Sequence, residues 1–197
     1  MSDTEQRFNQ HIANHMECIG ETAGIVAPVL GQAASAIVET LLSERQVLVC
    51  GSGKANAFAQ YFASSMLAYH ETERPALPVL NLGADATTLA AIGLNNRIQE
   101  VFSRQIQALG HEGDSLLLLT DDGNRSSLIQ ALQAAHDRGI RVIAVTGRSE
   151  TDIHALFHED DIDITLPDVG AACTAELMVV ILNTLCTEIE AHLFSDG

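Results

Sequence analysis

The sequence predicts an α/β fold, a doubly wound five-stranded parallel sheet with helices on both faces. Three observations predict it. Five short apolar runs recur along the chain, each about five residues long, which is strand length. The first four are continuous rather than alternating, as expected of strands buried on both faces. Helical patterns separate most of them, and repeated β-then-α order builds a parallel sheet.

The chain opens without a strand. Phe8, Ile12, Met16 and Ile19 fall on one face of a helix over 4–23. Pro28 interrupts that pattern. Leu30, Ala33, Ala34, Ile37, Val38 and Leu41 then form a second stripe, so two N-terminal helices are expected. The strand runs are Val47–Cys50, Pro78–Leu82, Ser115–Leu119, Arg141–Val145 and Ile162–Leu166. Helices are expected over Ala55–Tyr69, Gln99–Leu109 and Ser126–Arg138, and a long last helix over Cys173–Phe194. The 197 residues suit one domain, with 1–45 a helical oligomerisation segment and 46–197 the α/β core and C-terminal helix. The terminal helices carry more apolar stripe than a small sheet can bury, so a homo-oligomer is expected.

Composition narrows the function classes. The formal net charge is −16. Such a surface repels phosphate backbones, and no basic patch offsets it, so direct nucleic-acid binding is not expected. No apolar run is read as the roughly 18 residues needed to cross a bilayer. The polar, acidic start MSDTEQRFNQ is unlike a signal peptide, so a cytoplasmic protein is expected. Cys18, Cys50, Cys173 and Cys186 form no CxxC pair and read as small buried hydrophobes in a reducing compartment. His11 and His15 share a helix face at metal-capable spacing, but the sequence offers no third ligand. His154 and His158, beside Glu159, Asp160 and Asp161, read as a solvated run. No metal or other cofactor is expected.

Ligands of open parallel sheets sit beyond the carboxyl ends of the strands. Two loops there stand out. Cys50-Gly51-Ser52-Gly53-Lys54-Ala55-Asn56 follows the first strand and opens a helix, with glycines that let backbone approach an anion. Thr120-Asp121-Asp122-Gly123-Asn124-Arg125 follows the third strand and has the placement of a phosphate cradle. Its chemistry opposes that use. Asp121 and Asp122 set two negative charges where a phosphate would sit, at roughly a few kcal/mol per contact. Arg125 offsets one of them.

These loops, their order and the segment between them resemble the phosphoheptose isomerase branch of the SIS-domain family, over nearly the whole chain. The family pattern is CGNGGS after the first strand, HFAxE on the next helix, ERPxLPxxAL into the second strand and STSGNS after the third. This sequence reads CGSGKA (50–55), YFASS (61–65), ETERPALPVLNL (71–82) and TDDGNR (120–125). The resemblance implies a phosphosugar pocket lined by Ser52, Gly53, Lys54, Thr120, Asp121, Asp122, Asn124 and Arg125, in degenerate form. In the family a zinc ion and the acid–base pair come from a His and a Glu of HFAxE and from a Gln and a His on the last helix. Those positions fall here on Tyr61, Ser65, Ala175 and Asn183, which do not make a zinc site, and neither Ser65 nor Asn183 titrates near neutrality. Glu176 and Asp85 are the nearest replacement acid–base candidates.

The same features are similar to a non-catalytic branch of the family, the DiaA-type proteins that associate with the replication initiator DnaA. The shared features are ETERPALP, Asn183 within LNTLC and the ending HLF (192–194). That resemblance implies a homotetrameric adaptor, with no catalytic residues, that binds DnaA through Leu193 and Phe194 and regulates initiation of chromosomal replication. The alternatives are a sugar-phosphate isomerase, converting sedoheptulose 7-phosphate to D-glycero-D-manno-heptose 7-phosphate, and a phosphosugar-binding sensor.

Overall fold

In a computed structural model, which describes residues 2–120, 125–147 and 151–194, the five expected strands form one sheet. They are β1 (Val47–Gly51), β2 (Val79–Asn81), β3 (Ser115–Leu119), β4 (Arg141–Gly147) and β5 (Ile162–Leu166). All pair in parallel, in the order β2-β1-β3-β4-β5. The winding direction reverses between β1 and β3. In such sheets a crevice opens at that switch point, beyond the carboxyl ends. The register there sets Gly51 opposite Leu119.

Alternate strand residues serve two separate cores, because successive side chains point to opposite faces. Val47, Val49, Leu117, Leu119, Ile143 and Val145 pack under α1 (Asp3–Leu42), α2 (Ala55–Leu67) and α7 (Ala171–Phe194). Leu48, Cys50, Leu116, Leu118, Val142 and Ala144 pack on the other face. That face is covered by α4 (Ser103–Leu109), α5 (Arg125–Asp137) and α6 (Thr151–His154).

The N-terminal segment departs from expectation. It is one 40-residue helix, α1, with Pro28 inside it. Proline has a helical φ and removes one backbone bond, so it interrupts a helix only where nothing else holds the chain. Here Val26, Leu30, Ala33, Ala34 and Ile37 are buried against α7 and the sheet on both sides of Pro28. The start of α1 is fixed by a capping box: the Ser2 hydroxyl accepts from the Glu5 amide and the Glu5 carboxylate accepts from the Ser2 amide. Phe8, Ile12 and Met16 remain exposed.

A helix absent from the sequence reading, α3 (Ala86–Leu94), follows β2. Its sequence is nearly apolar throughout, so it shows no amphipathic period. Asp85 caps it. Contrary to the bilayer reading of the sequence, α1 and α7 each contain a stretch long and apolar enough to cross a membrane by length and composition. Their buried residues, among them Ile37, Leu182, Leu185 and Ile189, belong to the core under the sheet.

Candidate functional site at the carboxyl ends of the strands

The turn from β1 into α2 is tightly wound. A side chain at Gly51 would place its Cβ 2.5 Å from the Ala55 backbone, so only glycine fits there. Gly53 takes φ +56, the left-handed region that glycine enters without strain. The amides of Ala55, Asn56 and Ala57 donate to the carbonyls of Ser52, Gly53 and Lys54. The Lys54 side chain is exposed at the mouth of the turn.

Ser52 directly follows Gly51, and Thr120 directly follows Leu119. The strand register therefore brings the two residues side by side at the switch point. Both are buried, at 3% and 0% exposure, and neither hydroxyl has a hydrogen-bond partner among the described residues. A third buried acceptor, Asn56 Oδ1, is also unpartnered, while its Nδ2 donates to the Gly83 carbonyl at 3.2 Å. A Cβ on Gly83 would lie 1.8 Å from that Oδ1, so the close approach of the β2 loop to α2 requires glycine. Buried polar atoms without partners are uncommon, and three at one crevice mark a polar ligand site. Asp121, Asp122 and Asn124 lie outside the described residues, as does the Arg125 side chain.

The positions expected from the zinc-binding pattern fall on two facing helices. Tyr61 on α2 donates a 2.6 Å hydrogen bond to Asn183 Oδ1 on α7. Ser65, one turn beyond Tyr61, accepts from Arg74 Nη2 through its carbonyl. Ala175 lies two turns before Asn183 and offers no donor atom. These side chains do not fit zinc: there is no imidazole, thiolate or carboxylate among them, and the Tyr61 hydroxyl is already committed to Asn183. A pocket of about 310 Å³ opens beside the pair, lined by His70, Glu71, Thr184, Thr187 and Glu188. His70 and Glu71 are titratable groups that the sequence reading did not single out, because nothing local marks them.

The segment carrying His70 and Glu71 is held by one buried carboxylate. Glu190 accepts from the His70 and Glu71 amides and pairs with Arg74 Nε at 2.7 Å. Burial alone would push the Glu190 carboxyl up. The two amides and the Arg74 guanidinium outweigh burial and hold it below its ordinary value.

The two replacement acid–base candidates are placed elsewhere. Asp85 caps α3, accepting from the amides of Thr87 and Thr88 and from the Thr88 hydroxyl. Those bonds, the Thr88 hydroxyl first, hold its carboxyl below the ordinary value. Glu176 lies on α7 against His11 and His15 of α1. His154 pairs with Asp163, and Asp161 is a buried acceptor for His136 and for the amides of Val142 and His158. The acidic run after His154 is thus partly internal rather than wholly solvated. Burial pushes the thiols of Cys50 and Cys186 up to about 12, which makes both inert near neutrality. Leu193 is half-buried against the core, and Phe194 lies under the Arg74 guanidinium, 5.8 Å from ring centre to the charge.

Comparison with known proteins identifies the relatives. The SIS domain family matches residues 7–147. A phosphoheptose isomerase of Chromohalobacter salexigens is 35% identical over 98% of both chains. One of Coxiella burnetii is 41% identical over 86% of this chain and 84% of its own. The solved structure of a phosphoheptose isomerase from Francisella tularensis superposes with a TM-score of 0.89 at 34% identity, covering 95% of this chain and 98% of that one. These relatives correct the functional expectation drawn from the four replaced positions. Full-length similarity at this level joins the chain to sugar isomerases, not to a non-catalytic DnaA-binding adaptor.

Proposed function

The chain belongs to the SIS-domain family, and on that premise we propose that it is a sugar-phosphate isomerase of the phosphoheptose isomerase class. The substrate pair would be sedoheptulose 7-phosphate and D-glycero-D-manno-heptose 7-phosphate. The observation that carries this reading is the pair of buried, unpartnered hydroxyls of Ser52 and Thr120, side by side at the switch point. They donate to the sugar phosphate, and Lys54 supplies positive charge at the mouth. Moving a carbonyl between C1 and C2 needs a proton removed from one carbon and delivered to the other. His70 and Glu71, beside Tyr61 and Asn183, are the titratable groups we assign to that transfer. The enzyme works in the cytoplasm, as an oligomer in which a second copy covers the exposed Phe8, Ile12 and Met16 of α1.

A second reading, a phosphosugar-binding sensor without turnover, is favoured by one observation. Ser65, Ala175 and Asn183 carry no group that titrates near neutrality, and the Tyr61 hydroxyl is committed to Asn183. Both readings are separated by one experiment: sedoheptulose 7-phosphate is offered to the purified chain, and binding and aldose formation are followed together. Turnover abolished in His70→Ala and Glu71→Ala supports the isomerase. Binding without turnover supports the sensor. Absence of binding removes both.

A further inference from the structure

The packing of α1 on α7 gathers donor atoms that the sequence leaves far apart. His11, His15 and Cys18 are spaced four and three residues apart, so they share one face of α1. Cys173 and Glu176, three apart, share a face in the first turns of α7. The two faces meet. Donor atoms of His15, Cys173 and Glu176 all lie within 4.8 Å of one another. His15 Nδ1 is 2.5 Å from Glu176 Oε2, and His11 Nε2 is 2.6 Å from Glu176 Oε1. The Cys18 thiol contacts that of Cys173.

From this convergence we propose a second, separate site: a zinc-class divalent metal site in which His15 Nδ1, Cys173 Sγ and the Glu176 carboxylate are the ligands. Two features distinguish it from an ordinary ion pair. An imidazolium–carboxylate pair aims an N–H at an oxygen. Here His15 Nδ1 and Glu176 Oε2 are both buried atoms, close together, yet neither makes a hydrogen bond. They are in close contact without hydrogen-bond geometry, and the Cys173 thiol lies within 4.8 Å of both. That third atom is sulfur, a poor hydrogen-bond partner and a good ligand. Imidazole, thiolate and carboxylate are the donors that zinc takes.

The distances suit an ion after a small adjustment. Ligands about 2.0–2.3 Å from a tetrahedral zinc stand roughly 3.4 Å apart. The histidine–carboxylate pair must open by about 1 Å, a change that rotation of the Glu176 side chain supplies. His11 holds the other oxygen of Glu176 and orients it, as outer hydrogen-bond partners commonly do. The fourth position is left to water. On binding, the Cys173 thiol loses its proton to solvent, and no redox change is involved. The ion pins the otherwise exposed first half of α1 to α7. None of Tyr61, Ser65, Ala175 and Asn183 takes part, so the site stands or falls independently of the isomerase reading.

Cobalt(II) is the probe. The full chain, kept reduced and stripped with chelator, is titrated with Co²⁺ and then with Zn²⁺. The expected result is a single Co²⁺ per chain, with tetrahedral visible absorption and a thiolate-to-cobalt charge-transfer band, both displaced by Zn²⁺. Cys173→Ser, a near-isosteric change, removes the charge-transfer band, and Glu176→Gln and His15→Ala abolish stoichiometric binding. His11→Ala weakens affinity by about 10- to 100-fold. Tyr61→Phe leaves Co²⁺ binding unchanged. Absence of stoichiometric Co²⁺ in the unmodified chain overturns the site. So does a charge-transfer band that survives Cys173→Ser, or that is lost equally in Tyr61→Phe.

Discussion

The Tyr61 hydroxyl donates to Asn183 Oδ1 at 2.6 Å, across 122 residues of sequence, so two positions expected at a zinc site satisfy each other instead. The pairing brings two positions of α2 and α7 within hydrogen-bond reach. That proximity makes a direct test possible.

Restoring the donors should restore what they do. The combined variant Tyr61→His, Ser65→Glu, Ala175→Gln and Asn183→His is expected to bind a zinc ion at α2–α7. Isomerase turnover should rise on the order of 100-fold, the contribution of a placed acid–base pair. Metal analysis and an aldose-forming assay check it. A variant that folds and binds zinc but turns over no faster would disconnect these positions from catalysis.

Ser52 and Thr120 should trade stability against binding. Each buried hydroxyl lacks a partner among the described residues, so Ser52→Ala and Thr120→Val remove an unsatisfied group. Thermal stability is expected to hold or rise by about 1 kcal/mol. A hydrogen bond to a charged ligand is worth about 1.5–3 kcal/mol, so sugar-phosphate affinity should fall by about 10- to 100-fold. Melting curves and calorimetric titration of the same samples measure both. A loss of stability with unchanged affinity would contradict the assignment.

Gly51 tests the turn itself. An alanine Cβ there meets the Ala55 backbone at 2.5 Å, and backbone does not yield as a side-chain tip does. Gly51→Ala should cost about 1–3 kcal/mol, as overpacking does, and displace Ser52 from the crevice. Chemical denaturation reads the first effect, and ligand titration the second.

Arg74 and Glu190 should dominate acid stability. Their side chains are 2% and 10% exposed, so truncating either leaves a buried charge without its ion-pair partner. Arg74→Met is expected to cost about 3–5 kcal/mol. The Glu190 carboxyl titrates below its ordinary value of 4.5 in the folded chain. Its contribution is therefore fully present above that value and is lost as pH falls through the lower, folded one. Urea unfolding between neutral pH and pH 3 should show the loss in the native chain. Glu190→Gln should be less stable at neutral pH and flatter in that acid window. Turnover should fall in the same variant, since Glu190 holds the His70 and Glu71 amides.

Some of this protein was legible in its sequence. All five strands lie where short apolar runs place them; β1 and β3 are buried at every position, which is why their runs are continuous, whereas β5 keeps Asp163 and Thr165 within its run. The β1 turn was legible from its glycines, and Tyr61 and Asn183 from their motif positions. The unbroken α1 was not, since Pro28 alone reads as an interruption and only packing on both sides of it keeps the helix whole. Nor was α3, whose nearly uniform apolarity carries no period.

Periodicity and turn chemistry are local, so the sequence by itself determined the fold class, the strand order along the chain and the loops that face the crevice. Tertiary structure alone decided which distant atoms meet. It set Ser52 beside Thr120 through strand register, Arg74 against Glu190, and Glu176 between His11 and His15, 165 residues from the first of them. In the sequence Glu176 is a catalytic candidate, and His11 and His15 are a pair without a third ligand. Helix packing joined the three, because side chains on two helices meet only when both apolar faces are buried in one core.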